Sequence, residues 1–114
     1  MSGCLFCRIV AGEIPSDKVY EDEEILAFRD IEPCAPVHIL IIPKRHIPGV
    51  PELSVSTDTL IGKIFRLAAR LAREEGVEES GFRVVVNSGP DAGQAVPHLH
   101  YHLLAGRKLD WPPG

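Results

Sequence analysis

The stretch His98-Leu99-His100-Tyr101-His102-Leu103-Leu104 decides how this chain is read. Histidine alternates with apolar residues at a period of two, the side-chain alternation of a β-strand, so the spacing predicts a strand over His98 to Leu104 with its imidazoles on one face. A lone strand histidine is ordinarily a partly buried, hydrogen-bonded residue. Three of the chain's five histidines in register instead crowd one surface with groups that titrate near pH ~6.5. Two chemistries use such a surface. In a metal cluster, same-face neighbours stand about 6.7 Å apart and the outer pair about 13 Å apart at ~3.3 Å per residue, so two imidazoles reach one ion easily and three do so only under strain. In nucleophilic catalysis, one imidazole attacks through a neutral ring nitrogen while a carbonyl holds its other N–H. Its neighbours then protonate a leaving group or steady developing charge. Attack on phosphorus makes a labile phosphoramidate, and the spacing leaves acyl and phosphoryl centres both open.

Upstream, Asn87 to Gln94 is a Gly-rich polar loop that reads either as a plain turn or as a set of N–H groups aimed at phosphate. Phe82 to Val86 and His38 to Ile42, the latter bounded by Pro36 and Pro43, are short β-branched runs that predict central strands. Between them Leu60, Ile61, Ile64, Phe65, Ala68, Leu71 and Ala72 recur at helical spacing. Thr57 or Asp58 stands at the start of that helix as a cap, and Gly76 ends it. Nearer the start, Leu5 to Ala11 reads as a short helix closed by Gly12, and Val19-Tyr20 with Ile25 to Phe28 as an opening hairpin. The tail Trp111-Pro-Pro-Gly114 continues neither helix nor central strand, and its aromatic favours docking.

With 114 residues, no internal repeat and no Gly/Ser linker, residues 1–114 are expected to form one domain. A net charge of −4 argues against nucleic acid and anionic membrane as partners, although a local nest still holds a small anion. No apolar run spans a bilayer and Met1 to Phe6 lacks the pattern of a leader, which predicts a cytoplasmic protein. Cys4, Cys7 and Cys34 are too few and odd in number for a disulfide framework. Cys4-Leu-Phe-Cys7 reads either as half of a tetrahedral metal site or as incidental thiols, and Cys34 is expected to be a packed small residue.

The run Gly93-Gln-Ala-Val-Pro-His-Leu-His-Tyr-His-Leu-Leu104, taken with Asp30-Ile31, Pro43-Lys-Arg-His46, Asn87, Gly106-Arg107 and the terminal Trp111-Pro-Pro-Gly114, closely resembles the histidine-triad family of nucleotide hydrolases and transferases, in its Hint branch. The resemblance covers nearly the whole chain. It implies an α+β fold: a five-stranded antiparallel sheet with one long and one short helix, paired as a homodimer whose sheets run on as one of ten strands. It implies hydrolysis of purine nucleoside 5′-phosphoramidates and related adenylates through a nucleotidyl-histidine intermediate. Two other outcomes stay open: hydrolysis of dinucleoside polyphosphates or nucleotidyl transfer, and nucleotide binding by a non-catalytic regulator.

By the same resemblance His100 is the nucleophile, His102 contacts the phosphate and aids proton transfer, and His38 completes the histidine relay. Asn87, Gly93, Gln94 and Ala95 lie on the phosphate side. Asp30 takes the ribose hydroxyls, and Leu5, Phe6, Phe28 and Ile31 surround the base. Trp111 reaches the partner subunit's site. Ala95 departs from the family's usual serine, which removes a hydroxyl donor. The resemblance also implies a structural Zn2+ on Cys4, Cys7, His46 and His98, with no cofactor needed for the chemistry itself.

Overall fold

Val37 to Pro43 is buried along its whole length, and the rest of the molecule is arranged around it. The computed structural model describes residues 3–114. The helices are α1 (Leu5–Val10) and α2 (Asp58–Glu74). The strands are β1 (Lys18–Glu21), β2 (Ile25–Arg29), β3 (Val37–Pro43), β4 (Phe82–Val86) and β5 (Tyr101–Ala105). Single 3-10 turns at Val50–Glu52, Val55–Thr57 and Pro90–Ala92 punctuate the connections. The strands form the expected five-stranded antiparallel sheet, in the order β1-β2-β3-β5-β4. That order puts β4 at an edge rather than in the expected central place, because it pairs with β5 alone.

The sheet is covered on both faces, which explains why β3 is an uninterrupted apolar run apart from His38. Ile25 and Ala27 of β2, Val37, Ile39 and Ile41 of β3, and Tyr101, Leu103 and Ala105 of β5 pack with Ile64, Ala68, Leu71 and Ala72 of α2. The opposite sides of the same strands, Leu26, Phe28, Leu40 and Ile42, pack with Cys4, Phe6 and Ile9 around α1. Pleating thus sends His38 and His102 to the α1 face. Leu67 joins the expected face of α2, while Phe65 is half exposed and lies edge-on to Tyr101 at 5.6 Å. Gly76, at φ +75, turns the chain out of α2 in a left-handed conformation that a side chain would oppose.

Two expected boundaries differ. Thr57 does stand at the N-cap of α2, but its hydroxyl donates to the Ser54 carbonyl at 2.8 Å and accepts from the Ser54 N–H at 3.0 Å, so it closes the preceding 3-10 turn. The histidine strand begins at Tyr101 rather than His98. The backbone before it is bonded elsewhere: the Leu99 N–H donates to Ile47 at 2.6 Å, the His98 N–H to Val96 at 2.8 Å, and the His98 carbonyl takes up the His100 ring. Among the described residues no helix is long and apolar enough to cross a membrane.

Candidate functional site

The histidines meet on the α1 face of the sheet, where their hydrogen bonds assign their protons. His100 Nδ1 lies 2.8 Å from the carbonyl oxygen of His98. A carbonyl only accepts, so Nδ1 carries the hydrogen and Nε2 of neutral His100 keeps its lone pair. His38 is fixed in the opposite sense. The Cys34 N–H donates to His38 Nδ1 at 3.0 Å, which leaves the hydrogen of the neutral ring on Nε2. That atom lies 2.9 Å from His102 Nδ1 and 3.5 Å from Asp30 Oδ2. His102 therefore accepts at Nδ1 and carries its hydrogen on Nε2, which is buried with no protein partner.

Burial pushes the His102 imidazole down to about 4, helped by the neighbouring His100 and His38 and opposed by Asp30. Burial also lowers His38, again against the pull of Asp30. Both rings are neutral at pH 7. They stand beside a cavity of about 350 Å³, the size of a small-ligand pocket. Its apolar wall is Leu5, Phe6 and Ile9 of α1 with Phe28 and Leu40, and His100 and His102 stand at its polar end with Asp30. Phe6 sets its edge on the His100 ring at 5.1 Å and on Phe28 at 5.7 Å, joining the slot to the histidines. The Asp30 carboxylate is held by the Glu32 N–H at 2.8 Å.

Of the residues expected at a nucleotide, Leu5, Phe6, Phe28, Asp30, Ile31, Ala95, His100 and His102 line this cavity. Asn87, Gly93, Gln94 and Trp111 are not part of its wall. Gln94 instead braces the loop through its side-chain amide. Its Oε1 accepts from the Gly89 N–H at 2.9 Å, and its Nε2 donates to Pro48 at 2.9 Å and Val96 at 3.1 Å, so both amide hydrogens are used within the protein. Trp111 is 79% exposed. The tail is tethered by Arg83, which donates to the Asp110 carbonyl at 3.0 Å and stands over the indole 6.0 Å from the ring centroid, leaving the rest of the ring in solvent. Cys34 is exposed rather than packed, because its loop lies outside the sheet and contributes backbone, not side chain, to His38. Ile14, Ser16, Glu32 and Val96 also line the cavity, and no motif in the sequence marks them. Ile9 was legible as a neighbour of Leu5 and Phe6 on α1, and Leu40 as the residue two beyond His38 on its strand face.

A second cluster lies across Phe6 from the first. Cys4, Cys7, His46 and His98 bring one donor atom each within 4.8 Å of one another. His98 Nδ1 is 3.4 Å from Cys4 Sγ, 3.6 Å from Cys7 Sγ and 3.2 Å from His46 Nδ1, and His46 Nδ1 is 3.3 Å from Cys7 Sγ. The edges of a zinc tetrahedron with such ligands are ~3.3–3.8 Å. His98 Nε2 donates to the Pro43 carbonyl at 2.8 Å, so its Nδ1 lone pair faces the thiols, the orientation a metal-binding imidazole needs. The four residues therefore fit a closed tetrahedral ion.

Residues 11–109 match the HIT domain family model. The chain is 47% identical over 105 residues to the purine nucleoside phosphoramidase of Escherichia coli K12, covering 92% of this chain and 88% of that protein. It is 48% identical over 115 residues to a 14 kDa zinc-binding protein of Zea mays, covering 99% and 89%. A crystal structure of a HIT family hydrolase from Legionella pneumophila superposes with a TM-score of 0.97 at 50% identity, covering 98% of this chain and all of that one. Fold, histidine geometry and these likenesses together place the chain in the HIT domain family.

Proposed function

We propose that this HIT-family hydrolase cleaves the bond between the α-phosphorus and the leaving group of purine nucleoside 5′-phosphoramidates or related adenylates. The observation that carries the reading is the 2.8 Å contact of His100 Nδ1 with the His98 carbonyl, because it leaves an Nε2 lone pair at the polar end of a nucleotide-sized cavity. That nitrogen attacks phosphorus, a P–N bond forms and the bond to the departing amine breaks. Water then attacks the nucleotidyl-His100, releases the nucleoside monophosphate and returns the imidazole. Over both steps one water is divided: hydroxyl to phosphorus, hydrogen to the amine.

His102 presents Nε2–H to a phosphoryl oxygen, which would supply the partner this buried atom lacks on the protein. A bound phosphate works against the burial that holds His102 at about 4, so the ring takes up a proton with the substrate. It passes one to the leaving nitrogen and is neutral again, and the water of the second step releases its spare proton to solvent. Asp30 accepts from the vicinal ribose hydroxyls, and the base lies in the apolar slot lined by Leu5, Phe6, Phe28 and Ile31. The names of the phosphoramidase and zinc-binding relatives support substrate class and metal respectively.

Cys4, Cys7, His46 and His98 are proposed to hold a structural zinc. With four protein ligands it leaves no open position for water, and it fixes α1 and the start of the triad segment. The homodimer is a proposal as well. It would pair the open edge of β4, where Phe82 and Val86 are each 37% exposed, and cover the half-exposed Phe65 that lies against Tyr101 of β5. The residues 1–114 are proposed to act as one domain in the cytoplasm, with no nucleic acid or membrane as partner.

The test is release of AMP from adenosine 5′-phosphoramidate by the wild-type protein and by His100→Ala. Turnover that the variant loses supports the reading. AMP binding without turnover overturns it in favour of a nucleotide-binding regulator.

A further inference from the structure

The His38 hydrogen that points at His102 is kept off Nδ1 by one backbone N–H, that of Cys34, while the Asp30 carboxylate faces Nε2 at 3.5 Å. Cys34 lies in the segment between β2 and β3, on an exposed loop where nothing in the sheet ladder holds it. A hydrogen bond from an exposed loop residue to a buried ring nitrogen is easily lost unless the loop is clamped. The clamp comes from the turn after β5. Arg107 donates to the Cys34 carbonyl from Nε at 3.2 Å and from a terminal nitrogen at 3.0 Å, and its other terminal nitrogen donates to the Lys108 carbonyl at 3.0 Å. The guanidinium is thus fixed at both ends of its fork, a geometry that an ammonium does not reproduce.

One residue earlier, Gly106 adopts φ +95 and lies so close to Pro36 that an added Cβ would stand 2.8 Å from the Pro36 Cβ. Two successive residues of the Gly106-Arg107 turn therefore grip the loop at Pro36 and Cys34. With its carbonyl held, Cys34 keeps its N–H aimed at His38 Nδ1.

We propose that Arg107 is a positioning residue, which holds His38 in the single tautomer that donates to His102 by clamping Cys34 through its carbonyl, one residue's torsions away from the N–H that meets the ring. Arg107 touches neither the cavity nor the reacting atoms. The inference rests on the reading of His38 and His102 as part of the reaction site, but its first readout needs no substrate.

Long-range 1H–15N spectra of the imidazoles in the free protein report which nitrogen of His38 is protonated. Wild type is expected to show Nε2–H alone. Arg107→Ala is expected to show averaged His38 nitrogens, with the His100 signals unmoved, and a kcat reduced on the order of tenfold with KM changed far less. Arg107→Lys keeps the charge without the fork; it is expected to fold as wild type and still lose most of that kcat, which also serves if the alanine variant does not fold. Wild-type His38 shifts and wild-type kcat in either folded variant would overturn the proposal. If the wild-type protein has no turnover, the reaction reading fails on its own, and the His38 spectrum still decides the role of Arg107.

Discussion

His98 is bound from three directions: its ring Nδ1 faces Cys4 Sγ at 3.4 Å, its Nε2 donates to Pro43, and its carbonyl accepts His100 Nδ1–H at 2.8 Å. One residue thus joins the Cys/His cluster to the candidate nucleophile. The shared element is α1, whose N-cap is Cys4 and whose next two residues, Leu5 and Phe6, line the cavity.

Removing a ligand of that cluster should therefore act on stability first and on substrate binding second. Cys4→Ser is expected to purify with less than one equivalent of zinc by elemental analysis, and to melt about 5 °C or more below wild type. KM for adenosine 5′-phosphoramidate should rise because Leu5 and Phe6 lose their anchor, with kcat changed less. Stoichiometric zinc and an unchanged melting temperature in this variant would contradict the assignment.

Stability should decline in acid below about pH 6.5. Burial depresses the His102 imidazole to about 4 and depresses His38 in the same direction, so the unfolded chain binds protons that the folded one refuses. The contribution is present above the unfolded value of ~6.5 and is lost as pH falls toward about 4. For His102 it amounts to at most ~3 kcal/mol at 1.36 kcal/mol per pH unit. Urea unfolding between pH 7.5 and 4.5 checks it: His102→Gln should flatten the decline, and an equal decline in both proteins would count against it.

Asp30 is held by Glu32 N–H at 2.8 Å and faces the cavity. Asp30→Asn is expected to raise KM on the order of tenfold for a ribonucleotide substrate, and much less for the 2′,3′-dideoxy analogue, which lacks the hydroxyls the carboxylate accepts from. Equal losses on both substrates would show that the carboxylate acts through His38, 3.5 Å away, rather than on the sugar.

An apolar strand edge in solvent favours pairing. Phe65→Glu, at the half-exposed position against Tyr101 of β5, the strand paired with β4, is expected to shift the sedimentation profile from dimer to monomer. Wild-type protein that sediments as a monomer at micromolar concentration would remove the dimer and, with it, the role of Trp111 across subunits.

What the chain's own letters disclosed follows the range of the forces involved. β3 was legible because burial on both faces leaves a run of branched apolar residues, and α2 because one apolar stripe repeats along it. The alternation of His98, His100 and His102 marked the candidate site but misplaced the start of its strand. That boundary is set by Ile47, which accepts from Leu99, and by the His100 ring on the His98 carbonyl, bonds that no local pattern records. Gln94 reads as a phosphate-side donor, and its role as the brace that holds Pro48, Gly89 and Val96 was not legible. Arg107 and Cys34, 73 residues apart, carry no periodic or spacing signal that joins them.

The central claim is covalent attack by His100, and a single-turnover quench with intact-protein mass spectrometry tests it most directly. Wild-type protein mixed with adenosine 5′-phosphoramidate and acid- or base-quenched within milliseconds to seconds should carry one adenylyl group, mapped to His100 and absent from His100→Ala. Rapid AMP release with no adduct at any quench time and pH, together with retained turnover in His100→Ala, would contradict it.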